Sequence, residues 1–227
     1  MKKLAIIPAY NESGNIVKTV NDIKKHAKSF DYIIINDHSK DNTLEVCREH
    51  GFHVIDLTNN LGIGGGVQTG YLYAYQNGYD YAVQFDGDGQ HNASYLEQMA
   101  DQMEEEGLDM LIGSRYIEKQ GFQSSGIRRV GIRYFTGLIK LCTGQKITDP
   151  TSGMRMVNRE IIRLFSEEYP KDYPEPESVV TLLKQKKKVR ELAVRMNERE
   201  EGVSSISPLK AMYYMIKVSI AILIAAI

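Results

Sequence analysis

The chain of 227 residues contains no tryptophan, only two cysteines and only six prolines. Cys47 and Cys142 have no paired spacing, which excludes a cysteine-clamped zinc module and a disulfide-stapled fold and leaves a reducing, cytoplasmic setting as the simplest expectation. A surplus of charge is missing too. Twenty-eight Lys and Arg stand against 29 Asp and Glu, for a formal net charge of -1, which argues against a protein that coats nucleic acid. The amino terminus has a basic start, but its apolar run is too short for a signal peptide and lacks a cleavage region. It reads instead as a first strand. There is no internal repeat, low-complexity tract or Pro-rich linker. What is present is 42% hydrophobic residues, enough for one substantial domain with a core.

The first half alternates short apolar runs with longer helical patterns. Strands are expected at residues 3–8, 32–36, 53–57, 81–85 and 110–113, and helices at 16–27, 43–50, 66–76 and 94–105. That alternation is the signature of an α/β fold, Rossmann-like, with a mostly parallel central sheet flanked by helices. After Gly113 it fades into a polar loop at 118–126, an amphipathic helix at 127–142 and a turn at Asp149-Pro150-Thr151-Ser152-Gly153. In open sheets of this kind ligands bind where strands end and helices begin. Four such junctions are rich in polar groups: residues 9–12, 37–41, 59–66 and 86–91.

At the fourth junction, Phe85-Asp86-Gly87-Asp88-Gly89-Gln90 places two aspartates, one glycine apart, directly after a strand. Such oxygens suit Mg²⁺ or Mn²⁺, hard cations that take a few carboxylates and complete their shells with water and substrate phosphate. Gln90 adds a neutral oxygen. An acidic turn is the competing explanation. Asp37 follows the second strand, where a doubly wound fold often holds a nucleoside; a helix cap is the competing explanation, but by position Asp41 or Asn42 fits that role better. The stretch from Leu61 to Gly70 is glycine-rich but lacks the last glycine of G-x-G-x-x-G and any Walker lysine. A tight loop around Gly64 that packs close to the nucleotide is expected, with plain turn geometry as the alternative.

Taken together, the segments Ile7-Pro8-Ala9-Tyr10-Asn11-Glu12, Asn36-Asp37-His38-Ser39-Lys40-Asp41-Asn42-Thr43, Asp86-Gly87-Asp88-Gly89-Gln90-His91, Gly113-Ser114-Arg115 and Asp149-Pro150-Thr151-Ser152-Gly153-Met154-Arg155 resemble, in order, the motifs of the family 2 glycosyltransferases of the GT-A fold. Within that family the chain looks like the dolichyl or polyprenyl-phosphate hexosyltransferases, over residues 6–205. It departs at Asn36, Ile63 and Asn92, where many members carry Asp, Lys and Pro. The resemblance implies that Pro8, Ala9, Tyr10, Glu12 and Asp37 hold the nucleoside. It also implies that Asp86, Asp88 and Gln90 hold the metal and diphosphate. Arg115, Arg128, Arg129, Arg155 and Arg199 would face the phosphates of donor and acceptor, with Ser204 beside the acceptor phosphate, although surface ion pairs would also account for arginines. A planar guanidinium suits phosphate because it stays charged and grips oxygens in pairs.

Resemblance further implies an inverting displacement in which metal and arginines stabilise the departing nucleoside diphosphate, with Asp88 and Arg155 central. A sugar hydroxyl would need a base, and Glu175 or Glu177 stands where hydroxyl-using relatives place one. A helix start is the simpler account of that segment. A lipid monophosphate is already mostly dianionic near neutral pH and needs no base. A nucleotidyltransferase and a non-catalytic nucleotide-binding module are the readings from other classes.

At the carboxyl end, Leu209, Met212, Tyr213, Ile216, Ile220, Leu223 and Ile227 follow helical spacing, with Lys210 and Lys217 placed to reach head groups. An amphipathic, apolar C-terminal helix lying on a membrane is expected, against a core helix or a protein contact. The expected division is a GT-A domain at 1–206 and a membrane-associating helix at 207–227. The implied setting is the cytoplasmic face of the cell membrane, peripheral or tail-anchored, with a small membrane protein or a second copy of the chain as possible partners.

Overall fold

The computed structural model describes residues 1–118, 126–197 and 208–226, and only the backbone of 126–128 and 208–212. Arg199 and Ser204 therefore lie outside the described residues, and Arg128 is placed only as a helical backbone position. Seven strands form one sheet: β1 (Lys3–Ala9), β2 (Phe30–Asn36), β3 (Val54–Asp56), β4 (Tyr81–Gln84), β5 (Met110–Ser114), β6 (Arg155–Asn158) and β7 (Val189–Ala193). Their spatial order is β3-β2-β1-β4-β6-β5-β7. All neighbours are parallel except β6, which runs antiparallel to both β4 and β5. The helices are α1 (Ile16–His26), α2 (Thr43–Glu49), α3 (Gly62–Gln76), α4 (Leu96–Glu106), α5 (Gly126–Thr143), α6 (Arg159–Glu167), α7 (Pro174–Lys184) and α8 (Pro208–Ala225). The mostly parallel α/β architecture expected from the alternation is present.

The central strand shows why the sheet forms. In β1, Leu4, Ala5, Ile6 and Ile7 are each fully buried. Successive side chains point to opposite faces, so Leu4 and Ile6 join the core under α3, α6 and α7 while Ala5 and Ile7 join the core under α1 and α4. A strand covered on both faces reads as a continuous apolar run, and burying Leu4, Ile6 and Ile7 contributes about 1.5–3 kcal/mol each.

Two features differ from the sequence expectation. β6 and β7 extend the sheet beyond the five strands read from the alternation. The glycine-rich segment is the first turns of helix α3 rather than a loop, although four of its first five residues are glycine. Glycine disfavours helix by about 1 kcal/mol relative to Ala. Packing decides otherwise: a Cβ on Gly64 would collide with the carbonyl groups of Pro170 and Lys171.

α8 packs against α5 and α7 through its buried Val218 and Ile222. Its Tyr213, Ile216, Ile220, Leu223 and Ile224 stay exposed. Among the described residues no helix is long and apolar enough to cross a membrane.

Candidate active site

A cleft of about 410 Å³ opens at the carboxyl ends of β1, β2 and β4. β1 brings Pro8, Ala9, Tyr10 and Glu12; β2 brings Asp37; β4 brings Asp86, Gly87 and Asp88; Gly62, Ile63 and Gly66 of α3 close another side. The sequence expectation thus assembles in one place for six donor residues: Pro8, Ala9, Tyr10, Glu12, Asp37 and Asp86. Gly64 does not line the cleft, because it faces the Pro170–Lys171 backbone.

The junctions are clipped to one another. Asn11 adopts a left-handed conformation (φ 57°), its N–H donates to Ser39 Oγ at 3.0 Å, and its Oδ1 accepts from the Lys40 N–H at 2.8 Å. The Glu12 N–H donates to Thr43 Oγ1 at 2.9 Å. The turns after β1 and β2 are thereby tied to each other. Asp37, 5% exposed, accepts the Leu61 N–H at 2.7 Å on one oxygen, which ties the β2 end to the start of α3. An anchored carboxylate lining the cleft is suited to accept from a ribose or base donor.

Around the aspartate pair, the Asp86 N–H donates to His91 Nδ1 at 3.0 Å. Accepting there puts the imidazole proton on Nε2, which lies 3.6 Å from Asp86 Oδ2. Gln84 Nε2 donates to Asp86 Oδ1 at 2.9 Å, and Asp88 Oδ1 accepts the Gln90 N–H at 3.0 Å. Gln90 is further tied by its carbonyl, which accepts the Asn197 N–H at 2.8 Å. Among the described residues no group of three or more His, Cys, Asp or Glu side chains could hold a metal unaided. The two cleft aspartates fit the mode in which one or two carboxylates hold Mg²⁺ or Mn²⁺ and a substrate diphosphate and water supply the remaining oxygens.

The arginines are placed differently from expectation. Arg115, 8% exposed, forks onto fully buried Asp149, with Nε 2.7 Å from Oδ2 and an Nη2 contact of 2.8 Å to Oδ1. Arg155 is 1% exposed. It donates to the carbonyls of Ser152 at 2.7 Å, Pro150 at 2.7 Å and Glu175, and to Ser178 Oγ at 3.0 Å. Both guanidiniums brace the 149–155 turn and the start of α7 rather than standing open to a phosphate. Arg129 is exposed on α5.

The two glutamates at the start of α7 part company. Glu175 is partly buried, and burial, reinforced by the nearby Asp86 charge, pushes its carboxyl up against the opposing pull of Arg155. Glu177 lines a separate cavity of about 170 Å³ with Asp172, Tyr173 and Lys217, where burial and then the Asp172 and Glu168 charges raise it. Of the pair, Glu175 is the carboxyl beside the aspartate cleft. Gln84 was not among the expected residues; an amide at a strand position two residues before the aspartate pair was the available signal.

The match to known proteins follows this geometry. Residues 4–165 match the model of the Glycosyl transferase family 2. A UDP-N-acetylglucosamine–dolichyl-phosphate N-acetylglucosaminyltransferase of Methanococcus voltae is 31% identical over 72% of this chain and 72% of its own length. An undecaprenyl-phosphate mannosyltransferase of Micrococcus luteus is 26% identical over 91% of this chain and 88% of its own. Among solved structures, glucosyl-3-phosphoglycerate synthase from Mycobacterium tuberculosis in complex with Mn²⁺, UDP and glucosyl-3-phosphoglycerate superposes with a TM-score of 0.73 at 18% identity, covering 99% of this chain and 79% of that one. The sheet order, the cleft and these matches together make this chain a member of the family 2 glycosyltransferases, with the GT-A fold.

Proposed function

We propose that this glycosyltransferase moves a hexose or N-acetylhexosamine from a UDP-linked donor to polyprenyl phosphate, by inversion, at the cytoplasmic membrane face. The observation that carries it is the single cleft lined by Asp37 at the β2 end and by Asp86 and Asp88 at the β4 end. Asp37 would accept from the nucleoside, and Pro8, Ala9, Tyr10 and Glu12 would enclose it. Asp86 and Asp88, with Gln90, would hold Mg²⁺ or Mn²⁺, which when bound offsets charge on the departing diphosphate. The names of relatives acting on dolichyl or undecaprenyl phosphate support the acceptor. A phosphate oxygen as nucleophile needs no general base.

Arg128, Arg129, Arg199 and Ser204 are the proposed acceptor-phosphate residues, with Arg155 and Arg115 acting through the turn they brace. Membrane contact is assigned to 207–227 and to α5. Exposed Tyr213, Ile216, Ile220 and Leu223 on α8, and Val130, Tyr134 and Leu141 on α5, supply apolar area for an interface. A saccharide hydroxyl is the second candidate acceptor, and Glu175 beside Asp86 is the observation that favours it, in preference to Glu177. A nucleotide-release assay over a panel of UDP- and GDP-sugars, with and without undecaprenyl phosphate, tests the choice. Release stimulated by the lipid phosphate and lost in Asp88→Ala is expected; release stimulated by saccharides alone and lost in Glu175→Gln transfers the assignment to the second acceptor.

A further inference from the structure

A polar layer interrupts one face of the sheet directly below the aspartate pair. Gln84 of β4 and Arg155 of β6 are register partners, and strand alternation puts both on the face where Ala82 and Val157 join the core. Each is 1% exposed. Tyr71 of α3 and Tyr169 lie on this face too. Their hydroxyls and Gln84 Oε1 are buried without a hydrogen-bond partner among the described residues. An orphaned buried polar group costs about 1–3 kcal/mol. A glutamine kept here in place of an aliphatic side chain needs a compensating role.

Its donor end supplies one. Gln84 Nε2 lies 2.9 Å from Asp86 Oδ1. A neutral amide can grip a carboxylate without cancelling the charge that a cation would use. An aliphatic side chain would leave Asp86 Oδ1 without this donor, and a glutamate would repel it. Gly153 adjoins both groups: a Cβ there would collide with Asp86 Oδ2 and sit 3.0 Å from Gln84 Nε2.

We propose that Gln84 is a positioning residue for the divalent-cation site, clamping Asp86 in the one carboxylate orientation that the bare Gly153 wall permits. The inference rests on the assignment of Asp86 and Asp88 as metal ligands. Residues bonded to a metal ligand typically change metal affinity by about 10–100-fold when removed.

The test is Mn²⁺ binding in the presence of UDP, read by electron paramagnetic resonance of free Mn²⁺, with thermal unfolding measured in parallel. Wild type, Asp88→Ala, Gln84→Leu and Gly153→Ala are compared. Gln84→Leu should weaken Mn²⁺ binding by about tenfold or more while its unfolding temperature equals or exceeds that of wild type, since the orphaned oxygen is gone. Gly153→Ala should weaken binding with Gln84 intact. Wild type binding Mn²⁺ while Gln84→Leu matches it within about twofold, well short of that range, overturns the positioning role alone. No Mn²⁺ binding by wild type overturns the metal assignment and this inference with it. Should Gln84→Leu fail to fold, unaltered Mn²⁺ binding by Gly153→Ala overturns the clamp.

Discussion

Replacing Arg115 by Met should cost this protein stability before it costs donor affinity. The guanidinium and its partner Asp149 retain 9% and none of their side-chain exposure, so neither charge has water to fall back on. Removing one member of such a pair strands the other and costs about 3–5 kcal/mol. For a domain of this length each kcal/mol moves the unfolding temperature by about 2–4 °C, which gives a fall of about 10 °C. Asp149→Leu should fall by a similar amount. The double variant Arg115→Met/Asp149→Leu should recover most of the loss, because no buried charge is left alone. Urea and thermal unfolding of the four proteins close the cycle. Single variants within about 1 kcal/mol of wild type, or losses that simply add, would refute the placement of Arg115 as a brace.

Other outcomes follow from the same geometry. Glu175 has its carboxyl raised above the ordinary value of 4.5 by burial, so the native state holds a proton that the unfolded chain has released, and stability declines as pH rises from 4.5 through the raised value. Glu175→Gln should flatten that decline and be at least as stable as wild type at neutral pH; a variant that loses stability at neutral pH contradicts the burial argument. Ile216→Asp and Ile220→Asp alter side chains 57% and 52% exposed and should leave folding unchanged. Each should weaken co-sedimentation with anionic lipid vesicles by about tenfold, from the apolar area withdrawn from the bilayer. Unchanged co-sedimentation would remove α8 from the proposed membrane contact.

Much of this was legible in the sequence, and the exceptions share a cause. β1 through β5 announce themselves as apolar runs ended by polar junctions, and Ala9, Tyr10, Glu12, Asp37, Asp86 and Asp88 meet in the cleft as their positions after strands imply. β6 has four residues and runs against its neighbours, so neither length nor alternation marks it. The helix at Gly62 contradicts local propensity because the close approach to Pro170 and Lys171 is a tertiary fact. Arg115 and Arg155 carry the same signature whether they grip phosphate or backbone carbonyls. Only the fold shows Asp149 under the first and three carbonyls around the second. Glu175 and Glu177 are two residues apart on a helix and so do not share a face: Glu177 lines the cavity with Lys217, while Glu175 lies in the field of Arg155 and Asp86, a separation that the motif alone does not resolve.

The central claim is glycosyl transfer from a nucleotide sugar to a lipid phosphate through the cleft of Asp37, Asp86 and Asp88. Its most direct test is mass spectrometry of the lipid recovered after incubating the protein with a UDP-sugar, Mg²⁺ or Mn²⁺ and undecaprenyl phosphate. The account predicts a lipid monophosphate carrying one added hexose or N-acetylhexosamine, absent with Asp88→Ala. An unmodified lipid phosphate, with the sugar found instead on a saccharide hydroxyl, would contradict it.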